Sequence, residues 1–110
     1  MSYSIKTTKR FKKELKQLAK KYKKIKVDYK NLLDNLENNP TLGTSLGNEC
    51  YKIRIQNSSI PTGKSGGFRI ITLVKIKKDK IVLLTIYSKT EKESIGRDEL
   101  GTILEGLDHE

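Results

Sequence analysis

The sequence predicts an α+β fold: a mostly antiparallel sheet of about four strands, with an N-terminal helical hairpin and a short C-terminal helix. Three observations lead there. Apolar residues recur at helical spacing through the first forty positions and stop at Asn38-Asn39-Pro40. From Tyr51 the period switches to two, in three strand-like runs whose links include hairpin-length ones. The 110 residues are 35% apolar and 33% charged, with no repeat and no long Pro/Gly/Ser linker, which suits a single domain over 1–110.

Tyr3 and Ile5 alternate with Ser4 and Lys6, so residues 3–7 read as a short opening strand. Phe11, Leu15, Leu18, Ala19, Tyr22 and Ile25 then form one apolar stripe on a Lys-rich helix, with Thr8 placed to cap it. A second helix is expected from about Asp28, with Tyr29, Leu32, Leu33 and Leu36 inward. It ends before Pro40, because the residue ahead of proline disfavours helical backbone. Tyr51, Ile53 and Ile55 alternate with Lys52, Arg54 and Gln56, a half-buried strand with a cationic face. Residues 57–67 (NSSIPTGKSGG) form a polar, glycine-rich loop. Strands are expected over Phe68–Ile76 and Lys80–Ser88, joined by a tight turn at 77–80. Ile81–Tyr87 is apolar on both faces, the mark of a central strand covered on both sides. Thr90-Glu91-Lys92-Glu93 has capping-box spacing, and a last helical stretch covers about Arg97–Leu107, interrupted by Gly101 and Gly106.

Composition removes several classes. There is no apolar run of about 20 residues for a membrane span and no export-signal pattern. The lone Cys50 can form neither an internal disulfide nor a zinc site, which suits a reducing cytoplasm. The lone histidine, His109, stands next to last, so catalysis would fall to Lys, Arg, Tyr, Ser/Thr or carboxylates. The net charge of +10 is uneven: +8 over residues 1–40, +7 over 41–89 and −5 over 90–110. A basic body attracts polyanions through counterion release, although lysines also simply solvate helix faces.

Lys52 and Arg54 are neighbours on one strand face, about 6.5–7 Å apart. Only the lysine can answer their mutual repulsion by giving up a proton, a route to proton transfer near neutral pH. The plainer reading is a soluble cationic sheet face. Arg69 follows Gly66-Gly67, where missing side chains ease a tight turn and leave room for a ligand. A guanidinium there suits a bidentate phosphate grip, or it is a surface arginine at a strand end. Lys64, in the loop, reads as a phosphate contact, and Lys75, Lys12 and Lys16 are further candidate RNA-backbone contacts. Tyr87 and Lys89 close the apolar strand, the phenol either packed in the core or stacked on a base. Register decides whether Tyr87 shares a face with Arg69: a two-residue turn puts Ser88 opposite Arg69, one more turn residue puts Tyr87 there. The loop lacks GxxxxGK[ST] spacing and joins strand to strand, so it is no nucleotide P-loop.

The succession IKTTKRFKKELKQLAKKY, NNPTLGTSLGNECYKIRI, GKSGGFRIITLVKI and IVLLTIYSKTEKESI resembles the RelE/ParE superfamily of type II toxin–antitoxin toxins, over roughly Tyr3–Leu104. GKSGGFR followed by IYSKTE looks most like its HigB/RelE branch. The resemblance implies an antiparallel sheet with an N-terminal helical hairpin. It also implies a ribosome-dependent mRNA endoribonuclease that uses the RNA's own 2′-hydroxyl as nucleophile, with no metal or other cofactor, held in check by a cognate antitoxin. It assigns the two cations of the family's YKIKL-like strand to Lys52 and Arg54, the GxR arginine to Arg69, and the strand-end lysine to Lys89. The sequence departs from the pattern at Thr90, where some relatives carry a second arginine, and near Gly96, where RelE proper carries a tyrosine. Tyr87 is the candidate substitute, and the general base is left between Lys52 and Tyr87. Two other readings follow from the same superfamily: a ParE-like inhibitor that binds DNA gyrase without catalysis, and a catalytically weak member that only binds its antitoxin.

Overall fold

The computed structural model describes residues 3–61, 66–92 and 94–107. In chain order the elements are β1 (Ser4–Thr7), α1 (Lys9–Lys21), α2 (Ile25–Asn38), β2 (Thr44–Gly47), β3 (Cys50–Ile55), β4 (Phe68–Lys75), a 3₁₀ turn at Ile76–Lys78, β5 (Lys80–Ser88) and α3 (Arg97–Gly106). One sheet runs β1-β5-β4-β3-β2, antiparallel except where β1 lies parallel to β5. The α+β expectation holds, with one more strand than expected. β2 is exposed along its whole length and has no apolar alternation; backbone pairing to β3 alone defines it.

The helices make two layers. Phe11, Leu18, Ile25, Leu32 and Leu36 of α1 and α2 pack on Ile53, Ile70, Leu83 and Ile86. On the other face Ile103 of α3 covers Cys50, Ile71, Leu73, Val82 and Leu84. β5 is therefore buried on both sides, as its sequence implied, although β4 holds the middle of the sheet. The apolar stripe from Phe11 to Ile25 is shared between two helices: α1 ends at Lys21, Tyr22 turns into extended backbone, and Ile25 opens α2. Asp28 thus lies inside α2, where it is buried and accepts hydrogen bonds from the Ser58 amide (2.9 Å) and hydroxyl (2.5 Å). The Thr90–Glu93 motif caps no helix. The Glu91 and Lys92 amides return to the Ser88 carbonyl as a turn, and Glu93 lies outside the described residues. α3 starts from Gly96 and runs unbroken through Gly101, so that glycine does not interrupt it.

β1 reaches only to Leu83, leaving the second half of β5 without a strand neighbour on that side. α1 fills the gap. The Glu14 carboxylate accepts the Ile86 amide (3.2 Å) and the Thr85 hydroxyl (2.6 Å), doing for that edge what a strand carbonyl would do. Thr8 fixes where α1 departs. Its buried hydroxyl accepts the Phe11 amide and donates to the Leu84 carbonyl, both at 2.9 Å. Thr8→Ala removes a helix cap and strands a buried carbonyl, an expected loss of roughly 2 kcal/mol. Thermal melts should then show Tm lowered by roughly 8–16 °C.

Candidate functional site

Register places the cations. The β4–β5 loop is longer than the tight turn expected: Lys75 pairs with Lys80, with Ile76–Asp79 between them and Asp79 left-handed at φ 49°. Continued without interruption, that register would put Arg69 opposite Ile86. A bulge intervenes between the Thr72–Leu83 and Ile71–Thr85 pairs, with Leu84 the extra residue, and Arg69 comes to face Tyr87. Across the other edge of β4, Arg69 faces Arg54. Cross-strand partners share a face at about 4.5–5.5 Å between backbones, so Arg54, Arg69 and Tyr87 form one row over three strands. Lys52 lies two residues along β3 on that face. Lys89 follows Tyr87 by two, and its amide donates to the Gly67 carbonyl (2.9 Å).

Burial separates the members of the row. Arg69 is only 4% exposed and Tyr87 7%, whereas Arg54 is exposed and Lys52 half-buried. The Arg69 guanidinium donates to the Phe68 carbonyl at 3.3 Å. Burial, together with the Arg54 charge beside it, holds its pKa below the ordinary arginine value, and Tyr87 partly offsets this. Burial likewise raises the Tyr87 phenol, so it is protonated at neutral pH; nearby Arg69 opposes the shift, as does the Ile95 backbone, which stays outside hydrogen-bond geometry. The Tyr87 hydroxyl is a buried polar atom with no partner among the described residues. Among the described acids near the site, Glu14 pairs with Arg10, Glu91 with Lys21, and Glu99 with Arg10 and Lys92. None of the described acids is ion-paired to Lys52 or Arg54.

Lys52 and Tyr87 open onto separate cavities. Lys52 lines one of ≈190 Å³ with Ile95, Gly96 and Arg97, while Tyr87 lines another of ≈320 Å³ with Gln17, Lys21 and Lys92. Lys92 is the residue that motif reading passed over. Its Nζ lies 5.7 Å from the centre of the Tyr87 ring, held there by Glu99; only tertiary contact shows it. Other candidates lie apart. Lys75 sits at the far end of β4 and pairs with Glu49 at 3.1 Å. Lys12 and Lys16 are exposed on α1, and Lys64 lies outside the described residues. The room expected at Gly66-Gly67 is already taken at Gly67, where the Ile55 carbonyl packs against the Cα.

Glu99 is held below the usual carboxylate range, mainly by its hydrogen bond from Lys92, with Arg10 adding to the effect. A depressed folded value means this stabilisation is fully present above the unfolded value of 4.5 and lost as pH falls through the folded one. Glu99→Gln should therefore flatten the decline of Tm between pH 5 and pH 3, as read by melts at matched ionic strength.

No helix among the described residues is long and apolar enough to cross a membrane. Curated proteins include none that matches the sequence. Thirteen solved chains do match in structure. An arginine-to-alanine double mutant of the E. coli toxin RelE in the free state superposes with a TM-score of 0.60 at 21% identity, covering 84% of this chain and 90% of that one. The isolated E. coli RelE toxin gives 0.60 at 16%, covering 94% and 98%. The toxin in the intact E. coli RelBE toxin–antitoxin complex gives 0.58 at 20%, covering 77% and 94%. These likenesses establish the fold. The sequence model described as RelE toxin of the RelE/RelB toxin–antitoxin system matches residues 8–106, nearly the whole chain, and so the protein belongs to the RelE toxin family.

Proposed function

We propose that this toxin is a ribosome-dependent mRNA endoribonuclease, neutralised by a cognate antitoxin as the E. coli RelBE complex suggests. The observation that carries the reading is the Arg54–Arg69–Tyr87 row: two guanidiniums side by side, one buried, next to a buried phenol with no hydrogen-bond partner among the described residues. Such a row suits an anion, because a partly desolvated guanidinium gains strongly from a phosphate. In the proposed reaction the RNA 2′-oxygen attacks the adjacent phosphorus. A 2′,3′-cyclic phosphate forms, the P–O5′ bond breaks, and the 2′ proton leaves as the 5′ oxygen gains one. Arg69 and Arg54 hold the phosphorane oxygens, which is where preorganised charge acts most. Tyr87, kept protonated by burial, suits the donor to the 5′ oxygen better than the base. Lys52 is then the proton acceptor, with Lys89 and Lys92 adding positive charge around the site. Lys12, Lys16, Lys64 and Lys75 are proposed contacts to the RNA backbone outside it.

Tyr87→Phe should lower cleavage roughly 10²-fold or more without loss of Tm. If Tyr87 donates, the wild-type rate has no descending limb from this group until pH passes the raised phenol value, above 10. A Tyr87 base would instead show a rate still climbing there. The whole reading is tested by inducing the toxin in cells and mapping transcript 5′ ends beside Arg69→Ala. Codon-phased cuts that vanish in the variant support it. Growth arrest with intact transcripts and a DNA-damage response points to gyrase, and no arrest to an antitoxin-binding member.

A further inference from the structure

A polar cavity of ≈310 Å³ opens beside Arg54 along the edge of β3. Pairing with β2 ends at Lys52, so the strand beyond it has an open edge. Facing that edge, Asn31 and Asn35 lie one turn apart on α2 and line the same cavity, and Gln56 lines it from the chain just after β3. Leu42 and Ile53 supply apolar wall. Gly43 keeps the entrance narrow: it holds φ +104° and packs so tightly on the Lys52 carbonyl that a Cβ would come within 3.0 Å of the oxygen. The Asp28 carboxylate at the base is committed to Ser58. Asn31, Asn35 and Gln56 are exposed, and their side-chain amides make no hydrogen bond among the described residues, so they are open to an incoming group.

We propose that this cavity reads a nucleobase, preferring adenine, on the nucleotide next to the phosphate held by Arg54 and Arg69. A carboxamide presents a donor beside an acceptor, the complement of adenine's N6 amino group and N7. Guanine offers two acceptors on the same edge and calls for a cation instead. Single-stranded RNA is read in this way, its bases splayed out, set against side chains and hydrogen-bonded at their edges. The volume lies at the lower end of small-ligand sites, about 300–1,000 Å³, as a single base requires. The cavity lies on the α2 side of the sheet with Ile53 and Ile55, and the row lies on the α3 side. Arg54, at the open edge of β3, pairs with Arg69 in the row and also lines the cavity, so the RNA would pass from one to the other around that edge.

The inference rests on the ribonuclease reading, and a binding assay with uncleavable RNA keeps the two separable. Four 2′-O-methyl RNA trimers, differing only in their central base, are titrated against the full-length toxin by fluorescence anisotropy. The adenine trimer should bind about 10-fold more tightly than the others, a ratio within the range of one bidentate base contact. In Asn31→Ala/Asn35→Ala and in Gln56→Ala the ratio should fall toward one, with melts confirming the fold. That result supports the cavity even if the toxin cuts no transcript, which would sink only the nuclease reading. Equal affinity for all four trimers, no binding, or an adenine preference that survives the variants overturns the cavity assignment, while Arg69-dependent cuts would leave the nuclease reading intact.

Discussion

Arg69→Ala is expected to lower mRNA cleavage by roughly 10²–10³-fold, the usual cost of losing one preorganised group that stabilises transition-state charge. Primer extension on a reporter transcript measures it. The size of the effect follows from where Arg69 sits. At 4% exposure its charge is poorly screened by water, and Arg54 stands directly across the strand pair. A phosphate entering the row meets one guanidinium already largely stripped of solvent, Arg69, beside an exposed one, Arg54. Burying a cation costs desolvation free energy that its contacts only partly return, so Arg69→Met, which keeps much of the side-chain volume, should lower Tm by no more than a few degrees while the rate collapses. Arg69→Lys restores charge without the planar fork and should recover only part of the rate. Cleavage within threefold of wild type in Arg69→Ala would remove the clamp from the mechanism.

Much of this arrangement was legible before any coordinates. The apolar periods located three helices and four strands because burial imposes those periods, and the family motifs pointed to Lys52, Arg54 and Arg69. What stayed hidden depends on pairing. β2 has no buried face to leave a pattern. The bulge at Leu84 leaves no mark in an unbroken apolar run, yet it alone converts an Arg69–Ile86 register into Arg69–Tyr87. Side chains that meet through tertiary contact were equally silent: Lys92 over Tyr87, Glu14 on the β5 edge, and the α2 asparagines beside Arg54. The glycines illustrate the difference. Gly66-Gly67 suggested room for a ligand, and at Gly67 the room belongs to a neighbouring strand.

Gly67→Ala should be a severely damaging single-methyl change. A Cβ there would fall far inside 3.0 Å of the Ile55 carbonyl oxygen, 3.1 Å from its carbonyl carbon and 3.2 Å from the Asn57 nitrogen. All three are backbone atoms, so no rotamer change relieves the clash. The start of β4 must part from the end of β3, where Phe68 pairs with Ile55 and Arg69 with Arg54. Overpacking of this kind costs roughly 3 kcal/mol, a fall in Tm of roughly 12–24 °C for a domain near this size. Because Arg69 is two residues away, the surviving folded molecules should also cut poorly: a shift of about 1 Å in a positioned group can cost about 10²-fold in rate. Gly101→Ala is the matched control. It adds the same methyl inside α3, where nothing lies within 4 Å of the new atom, and helix propensity favours alanine by roughly 0.8–1 kcal/mol. Its Tm should rise by several degrees with cleavage unchanged. If both variants melt alike, the close approach of Ile55 to Gly67 does not hold the β3–β4 junction, and the placement of Arg69 needs another cause.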